Sequence, residues 1–118
     1  MTARLRGRLA PSPTGVLHLG NARSFLLAWL DLRARQGEVL LRIEDLDGPR
    51  VKAGAEAAVL EDLAWLGLDW EGAPVRQSAR APIYQAALQQ LAAAGLAYAC
   101  ICSRRDVELA ATAPNLGD

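Results

Sequence analysis

An α/β fold built on parallel strands is the class this sequence predicts, and three observations carry that prediction. Residues 4–9 alternate strictly, with Leu5, Gly7 and Leu9 on one face and Arg4, Arg6 and Arg8 on the other, the period of a half-buried strand. Residues 39–43 form a short, mostly apolar run of the kind found in strands buried on both faces. Between them, from about residue 19 to residue 36, the apolar spacing turns helical. Strand, helix and strand at this spacing make a βαβ unit, whose crossover sets the two strands parallel.

Each element has its local reasons. The first strand ends at Pro11, which has no N–H to continue a ladder. The first helix carries Ala22, Leu26, Trp29 and Leu30 on one stripe, widened by Phe25 and Leu27, and Gly37 is expected at its C′ position. A second helix is expected over residues 54–66, with Val59, Leu60, Leu63 and Leu66 inward and Gly67 at its end. Residues 69–74 read as a loop. Ser78 is expected to cap a further helix with Pro82 in its first turn, Leu88 and Leu91 on its buried stripe, and an end near Gly95. Residues 96–102 alternate and suggest a strand. Ser103 and Asp106 then form a capping box, aspartate replacing the usual glutamate, ahead of a short helix. Residues 113–118 are loop-like, and the chain holds no internal repeat.

Composition bounds the possibilities. With 118 residues, 52% of them hydrophobic, the chain has the material for one modest core and is not a disordered polymer. No apolar run reaches the roughly 20 residues that span a bilayer, and the basic N-terminus lacks the apolar stretch of a secretion signal, so a cytoplasmic protein is expected. Thirteen basic and thirteen acidic residues cancel, which argues against a general nucleic-acid coat. Through Lys52 there are nine basic residues against five acidic ones, and beyond it four against eight. The positive half is compatible with an anionic ligand.

That half carries the densest chemistry. Pro11-Ser12-Pro13-Thr14-Gly15 is a stiffened loop that delivers His18-Leu19-Gly20-Asn21 to a helix start. Helix starts present unpaired N–H groups and a partial positive charge, and so suit a phosphate. Gly20, lacking a Cβ, is expected to let a ligand approach the backbone, with His18 adding a donor. The second strand leads into Arg42-Ile43-Glu44-Asp45-Leu46-Asp47. In open parallel sheets ligands bind outside the carboxyl ends of the strands, which is where both stretches fall. Neighbouring strands would bring Glu44 near Arg8, Ser12 and His18, a setting for an amino acid meeting ATP. Taken singly, each feature also has a plainer reading: a solvated Arg8, a capping His18, a solvated or metal-binding acidic run, a merely rigid proline turn. Cys100 and Cys102 would have Cα atoms about 6–7 Å apart in an extended segment; from the residues alone they are equally two free thiols or half of a zinc site.

The order and spacing of Arg8 to Gly15, His18 to Asn21, and Arg42 to Asp47 resemble the class I glutamyl-tRNA synthetases, as do Trp65-Leu66-Gly67-Leu68, Arg76-Gln77-Ser78 and Cys100-Ile101-Cys102. Leu46, Gly48-Pro49-Arg50 and residues 113–118 resemble a shortened branch that lacks the anticodon-binding region. The resemblance implies the first half of a Rossmann-type nucleotide-binding catalytic domain over residues 1–96. It implies the start of a zinc-binding, tRNA acceptor-contacting insert over residues 97–118. It also implies activation of L-glutamate by ATP and transfer to the queuosine base of tRNA(Asp), with tRNA(Glu) as the alternative acceptor. By motif, Arg8 and Ser12 would contact glutamate and Glu44 its ammonium group. Pro11, Ser12, His18, Gly20 and Asn21 would form the ATP site, with His18 the catalytic donor. Cys100 and Cys102 would be the first two ligands of one structural Zn2+, the others following Asp118, and Mg2+ would accompany ATP. A monomer is expected.

The family's second signature, a mobile lysine loop, is not among these residues, because Lys52 is the one lysine and lies in the wrong place. The 118 residues alone are therefore expected to be nearly inactive. Two rivals of other classes remain: a nucleotidyltransferase sharing the histidine–glycine loop, and a non-catalytic module binding nucleotide or tRNA ends.

Overall fold

The computed structural model describes residues 4–46 and 48–111; the loop expected over residues 113–118, and Asp47, lie outside them. The chain forms two compact units, Met1–Pro82 and Ile83–Asp118. Among the described residues no helix is long and apolar enough to cross a membrane.

The first unit is a parallel sheet with helices. Strand β1 (Arg6–Leu9) leads through a loop to helix α1 (Leu19–Ala34) and strand β2 (Glu38–Ile43). A 3-10 turn at Gly48–Arg50 precedes helix α2 (Ala55–Trp65), and a two-residue strand β3 (Val75–Arg76) follows. The sheet order is β1-β2-β3, with Arg6 opposite Glu38, Leu9 opposite Leu41 and Ile43 opposite Arg76, all parallel. Central β2 supplies Val39, Leu41 and Ile43 to the core, where Leu9, Val59, Leu63 and Leu68 join them. The parallel α/β class and the βαβ order match expectation. Strand β3 was not foreseen in residues 69–74 or beyond, because two residues are too few to show a period.

The buried stripe of α1 differs from the expected one. Leu32 is buried and Phe25, Ala28 and Trp29 pack beside it, while Leu26 and Leu30 are 38% and 47% exposed. Gly7 decides this. A Cβ there would stand 2.5 Å from Leu32 Cδ1, so the bare glycine on β1 is the seat that receives Leu32.

The end of α1 is also displaced by one residue from expectation. Arg35 is the C-cap, and Gln36, with φ 55°, takes the left-handed C′ position. Gln36 N–H donates to Arg33 O (3.0 Å) and Gly37 N–H to Leu32 O (2.7 Å), a Schellman closure. Gly37 is needed for space instead, since its Cβ would meet Leu32 O and Leu5 O at 3.1 Å each. At the end of α2 the expected arrangement holds: Gly67 has φ 74°, and Leu68 N–H returns to Leu63 O at 3.0 Å.

Charged side chains tie the α2–β3 connection to the rest of the unit. Arg33 on α1 donates to Asp69 Oδ1 (2.7 Å) and Glu71 Oε1 (2.5 Å), and its guanidinium lies 5.6 Å from the Trp29 ring. The Trp29 indole donates to Asp69 Oδ1 at 2.8 Å, and Glu71 Oε2 accepts Val39 N–H at 2.6 Å. Arg33 and then Trp29 hold the Asp69 carboxyl below the usual aspartate range; Arg33 and then the Val39 N–H do the same for Glu71.

Helix α3 (Ala81–Ala93), most of it in the second unit, closes at Gly95, as expected, and α4 (Arg104–Ala111) follows a segment with neither helix nor strand. The capping box at its start is present: Ser103 N–H donates to Asp106 Oδ2 (2.7 Å) and Asp106 N–H to Ser103 Oγ (3.3 Å). Two expectations fail. Residues 96–102 form no strand, because no neighbouring backbone offers a ladder to their alternating pattern. Leu88 and Leu91 are 57% and 46% exposed, since among the described residues of this unit α3 meets no second layer. Ser78 does not cap a helix either; it is drawn to Asp45, as described below.

Candidate functional site at the carboxyl end of the sheet

The chain leaves β1 into a loop whose two prolines, Pro11 and Pro13, are fully buried. A proline brings an acceptor and no donor. Both acceptors are met by later parts of the chain: Pro11 O by Glu44 N–H (2.9 Å) and Pro13 O by Lys52 N–H (3.2 Å). The loop is thereby pinned to the exit of β2. The expectation that the exits of neighbouring strands gather the two motifs is met at the level of the backbone.

His18 ends the loop as the N-cap of α1, with extended dihedrals of φ −95° and ψ 168°. Its Nδ1 accepts the Gly20 N–H at 3.0 Å, while its own N–H donates to Asn21 Oδ1 at 3.4 Å. This is a capping box in which histidine and asparagine replace the common serine and glutamate. An Nδ1 that accepts leaves the proton of the neutral ring on Nε2, which becomes the available donor. The plain capping reading of His18 is met, and the cap does not use Nε2. Gly20 has a role other than the expected one. A Cβ there would meet His18 Cε1 at 2.8 Å and Nδ1 at 3.0 Å, so the space the glycine leaves is filled by the imidazole, and its N–H is spent on it.

A cavity of about 570 Å³ opens beside the loop. Ser12, Thr14, His18, Asn21 and Lys52 supply its polar wall, and Phe25 is among its apolar residues. Of the residues expected at an ATP site, Pro11, Ser12, His18 and Asn21 line it; Gly20 does not. Lys52, dismissed from its sequence position, does. The only sign in the sequence was that it follows the acidic stretch closely enough to return to the loop.

The other expected residues do not line this cavity. Arg8 is exposed on β1, opposite Leu40 in the ladder. Glu44 pairs with Arg42, two residues earlier on the same face of β2; the Arg42 Nε is buried and has no partner. Asp45 turns the other way and accepts from Ser78 N–H (2.8 Å) and Ser78 Oγ (2.5 Å). Burial pushes the Asp45 carboxyl up, but the two Ser78 bonds and the nearby Arg76 charge outweigh it and leave it below the usual range. Just beyond β2, Glu44 and Asp45 thus take different partners, Arg42 and Ser78. Among the described residues no three His, Cys, Asp or Glu side chains gather as metal ligands. Cys100 and Cys102 are free, exposed thiols.

Comparisons with known proteins bear on the family and the fold. The model of the class I tRNA synthetases (E and Q), catalytic domain, matches residues 4–113. The chain belongs to this family. It is 53% identical over 108 residues to a protein of Rhodopirellula baltica named glutamyl-Q tRNA(Asp) synthetase, covering 92% of this chain and 33% of that protein. It is 54% identical over 110 residues to one of the same name from Rhodobacter capsulatus, covering 93% and 40%. Among solved class I synthetases, a glutamate tRNA ligase from Elizabethkingia meningosepticum in complex with its amino acid superposes with a TM-score of 0.77 at 34% identity, covering 92% of this chain and 23% of that one. The chain spans between a third and two fifths of the length of these two curated relatives. Its fold is that of the class I catalytic domain, a Rossmann-type α/β sheet.

Proposed function

We propose that the protein activates L-glutamate with ATP and passes it to the queuosine base of tRNA(Asp). One observation carries the reading: the Pro11–His18 loop, pinned by Glu44 N–H, walls a cavity that carries an imidazole donor and, among the described residues, no carboxylate, in a chain more than 50% identical to proteins named glutamyl-Q tRNA(Asp) synthetase. In the first step an oxygen of the glutamate α-carboxylate attacks the α-phosphorus. The bond to the bridging oxygen breaks, and pyrophosphate leaves with the electron pair. In the second step a hydroxyl of the modified base attacks the acyl carbon, and AMP leaves.

The chain's own residues would meet the physical demands of the first step. His18 Nε2–H donates to a phosphoryl oxygen on which charge grows, and its Nδ1 cap fixes the ring before the substrate arrives. Ser12 and Asn21 orient the nucleotide. Arg8 on β1 takes a carboxylate of glutamate. Glu44, with one oxygen engaged by Arg42, offers the other to the ammonium group. Mg2+ arrives with ATP, held by its phosphates. By themselves the 118 residues are proposed to bind and barely to turn over, because they hold no second lysine to close on the triphosphate.

Cys100 and Cys102 are proposed as two corners of a structural zinc site in an insert that starts near residue 97. Two exposed thiols two residues apart suit that chemistry and supply half of the four ligands it takes. Their role would be to fold the insert.

The test is glutamate-dependent ATP–pyrophosphate exchange by the native protein with no tRNA present. Exchange is expected, and Glu44→Gln is expected to raise the KM for glutamate with little effect on that for ATP. Absence of exchange until tRNA(Glu) is added would favour the second reading, a synthetase for tRNA(Glu), to which the likeness to the glutamate tRNA ligase points.

A further inference from the structure

Lys52 is a side chain to which the site described above gives no task. It is the one lysine of the chain. Its N–H is fixed to Pro13 O at 3.2 Å, so its Cα is held against the loop. Its Nζ reaches across to Gly15, lying 4.0 Å from where a Cβ on that residue would stand. It lines the same cavity as His18, and among the described residues its ammonium group has no carboxylate partner.

We propose that Lys52 is a direct contact of the cavity for a polyphosphate, the β- and γ-phosphoryl groups of the nucleotide and the pyrophosphate formed from them. This rests on the reading of the cavity as the nucleotide site. Three features of the cavity select the ligand class. Among the described residues its lining holds an ammonium and an imidazole donor and no carboxylate, so these groups are matched to an anion. The two donors approach from different segments, Lys52 from the turn before α2 and His18 from the start of α1, which suits an extended anion with several charged groups. Glu44, the side chain proposed above to receive the ammonium group of glutamate, does not line this cavity, so the cavity is left to the other, anionic substrate.

The chemistry adds no co-reactant. As the bond between the α-phosphorus and the bridging oxygen breaks, the electron pair goes to the leaving pyrophosphate, and the Lys52 ammonium neutralises the charge gathering there. Its position differs from that of a mobile loop lysine: the main-chain bond to Pro13 holds it before the nucleotide binds.

The experiment has two arms. In the first, inorganic tripolyphosphate is titrated calorimetrically into the 118-residue chain and its Lys52→Ala, Lys52→Arg and Arg23→Ala variants. Arg23 is an exposed cation of α1 that does not line the cavity. Lys52→Ala is expected to weaken binding about tenfold, the range for a charge-assisted hydrogen bond at a partly exposed site. Lys52→Arg is expected to keep most of the affinity, and Arg23→Ala all of it. In the second arm, exchange kinetics on the native protein are expected to show a higher KM for ATP in Lys52→Ala, with the KM for glutamate unchanged.

Tripolyphosphate binding that is absent in the parent chain, or equal in parent and Lys52→Ala, overturns the proposal. So does a KM change confined to glutamate or to tRNA, which would place the ammonium on a carboxylate or on a nucleic-acid backbone. Loss of tripolyphosphate affinity in Lys52→Ala, in a native protein with no glutamate-dependent exchange, would uphold the contact and refute the proposed reaction. A circular dichroism spectrum matching the parent, together with the retained affinity of Lys52→Arg, separates loss of the contact from loss of the fold.

Discussion

Replacing Gly20 with alanine separates what the α1 start does for stability from what it does for chemistry. The new Cβ would stand 2.8 Å from His18 Cε1 and 3.0 Å from Nδ1, well inside ordinary van der Waals contact. The atoms that must give belong to a side-chain ring, so the backbone can stay and the imidazole swings away. That motion breaks the 3.0 Å bond from Gly20 N–H to Nδ1, at a cost of about 0.5–2 kcal/mol as for loss of other N-caps. Alanine inside a helix recovers up to about 1 kcal/mol relative to glycine. The two terms nearly cancel, so the urea midpoint of Gly20→Ala is expected within about 1 kcal/mol of the parent. The Nε2 donor is displaced, and a misplacement of this size costs about 10²-fold in rate. Exchange should therefore fall by about two orders of magnitude in the native protein while stability barely moves. In a His18→Ala background the clash is gone, and Gly20→Ala should then be plainly stabilising. Full activity in Gly20→Ala, or destabilisation that persists without the imidazole, would refute the assignment of the glycine's space to the ring.

Three further outcomes are expected. Gln36→Gly relieves a left-handed glutamine at the end of α1 and should stabilise the chain by about 0.5–1 kcal/mol, read as a higher urea midpoint. Asp69 and Glu71 have carboxyls held low by Arg33, so in the acid range the unfolded chain binds more protons than the folded one. Their contribution should be fully present above the ordinary carboxylate values and lost as the pH falls through the lowered ones; Asp69→Asn should flatten the fall of the urea midpoint between about pH 5 and pH 2.

The frame of the fold was legible because it rests on period alone. Leu5, Gly7 and Leu9 against three arginines, and the apolar run over residues 39–43, admit few alternatives to a βαβ unit. The face of α1 was not legible. Apolar residues stand at positions 25–30 without a break, so periodicity cannot choose between Leu30 and Leu32, and the choice is made by an absent side chain at Gly7 on another element. Cys100 and Cys102 sit in a segment with a strand's pattern but no strand beside it. Pattern describes one chain segment, and a ladder needs two. At the site, the loop and His18 were visible as motifs. The partner of Ser78 was not, because Asp45 is 33 residues away and a serine before a helix offers a cap just as readily. Lys52 was passed over for the same reason: its nearness to Gly15 is a property of the folded loop.

The two proline carbonyls of the loop also set an order of assembly. Neither Pro11 nor Pro13 can supply a donor to its neighbours, and their acceptors are answered by N–H groups 33 and 39 residues further along the chain. On the ribosome the nascent loop has nothing to dock on until residue 52 has emerged, so the cradle that the loop forms acquires its shape well after its own residues have been made. A substitution that loosens the turn carrying Lys52 will then reach the cradle without touching any residue that lines it.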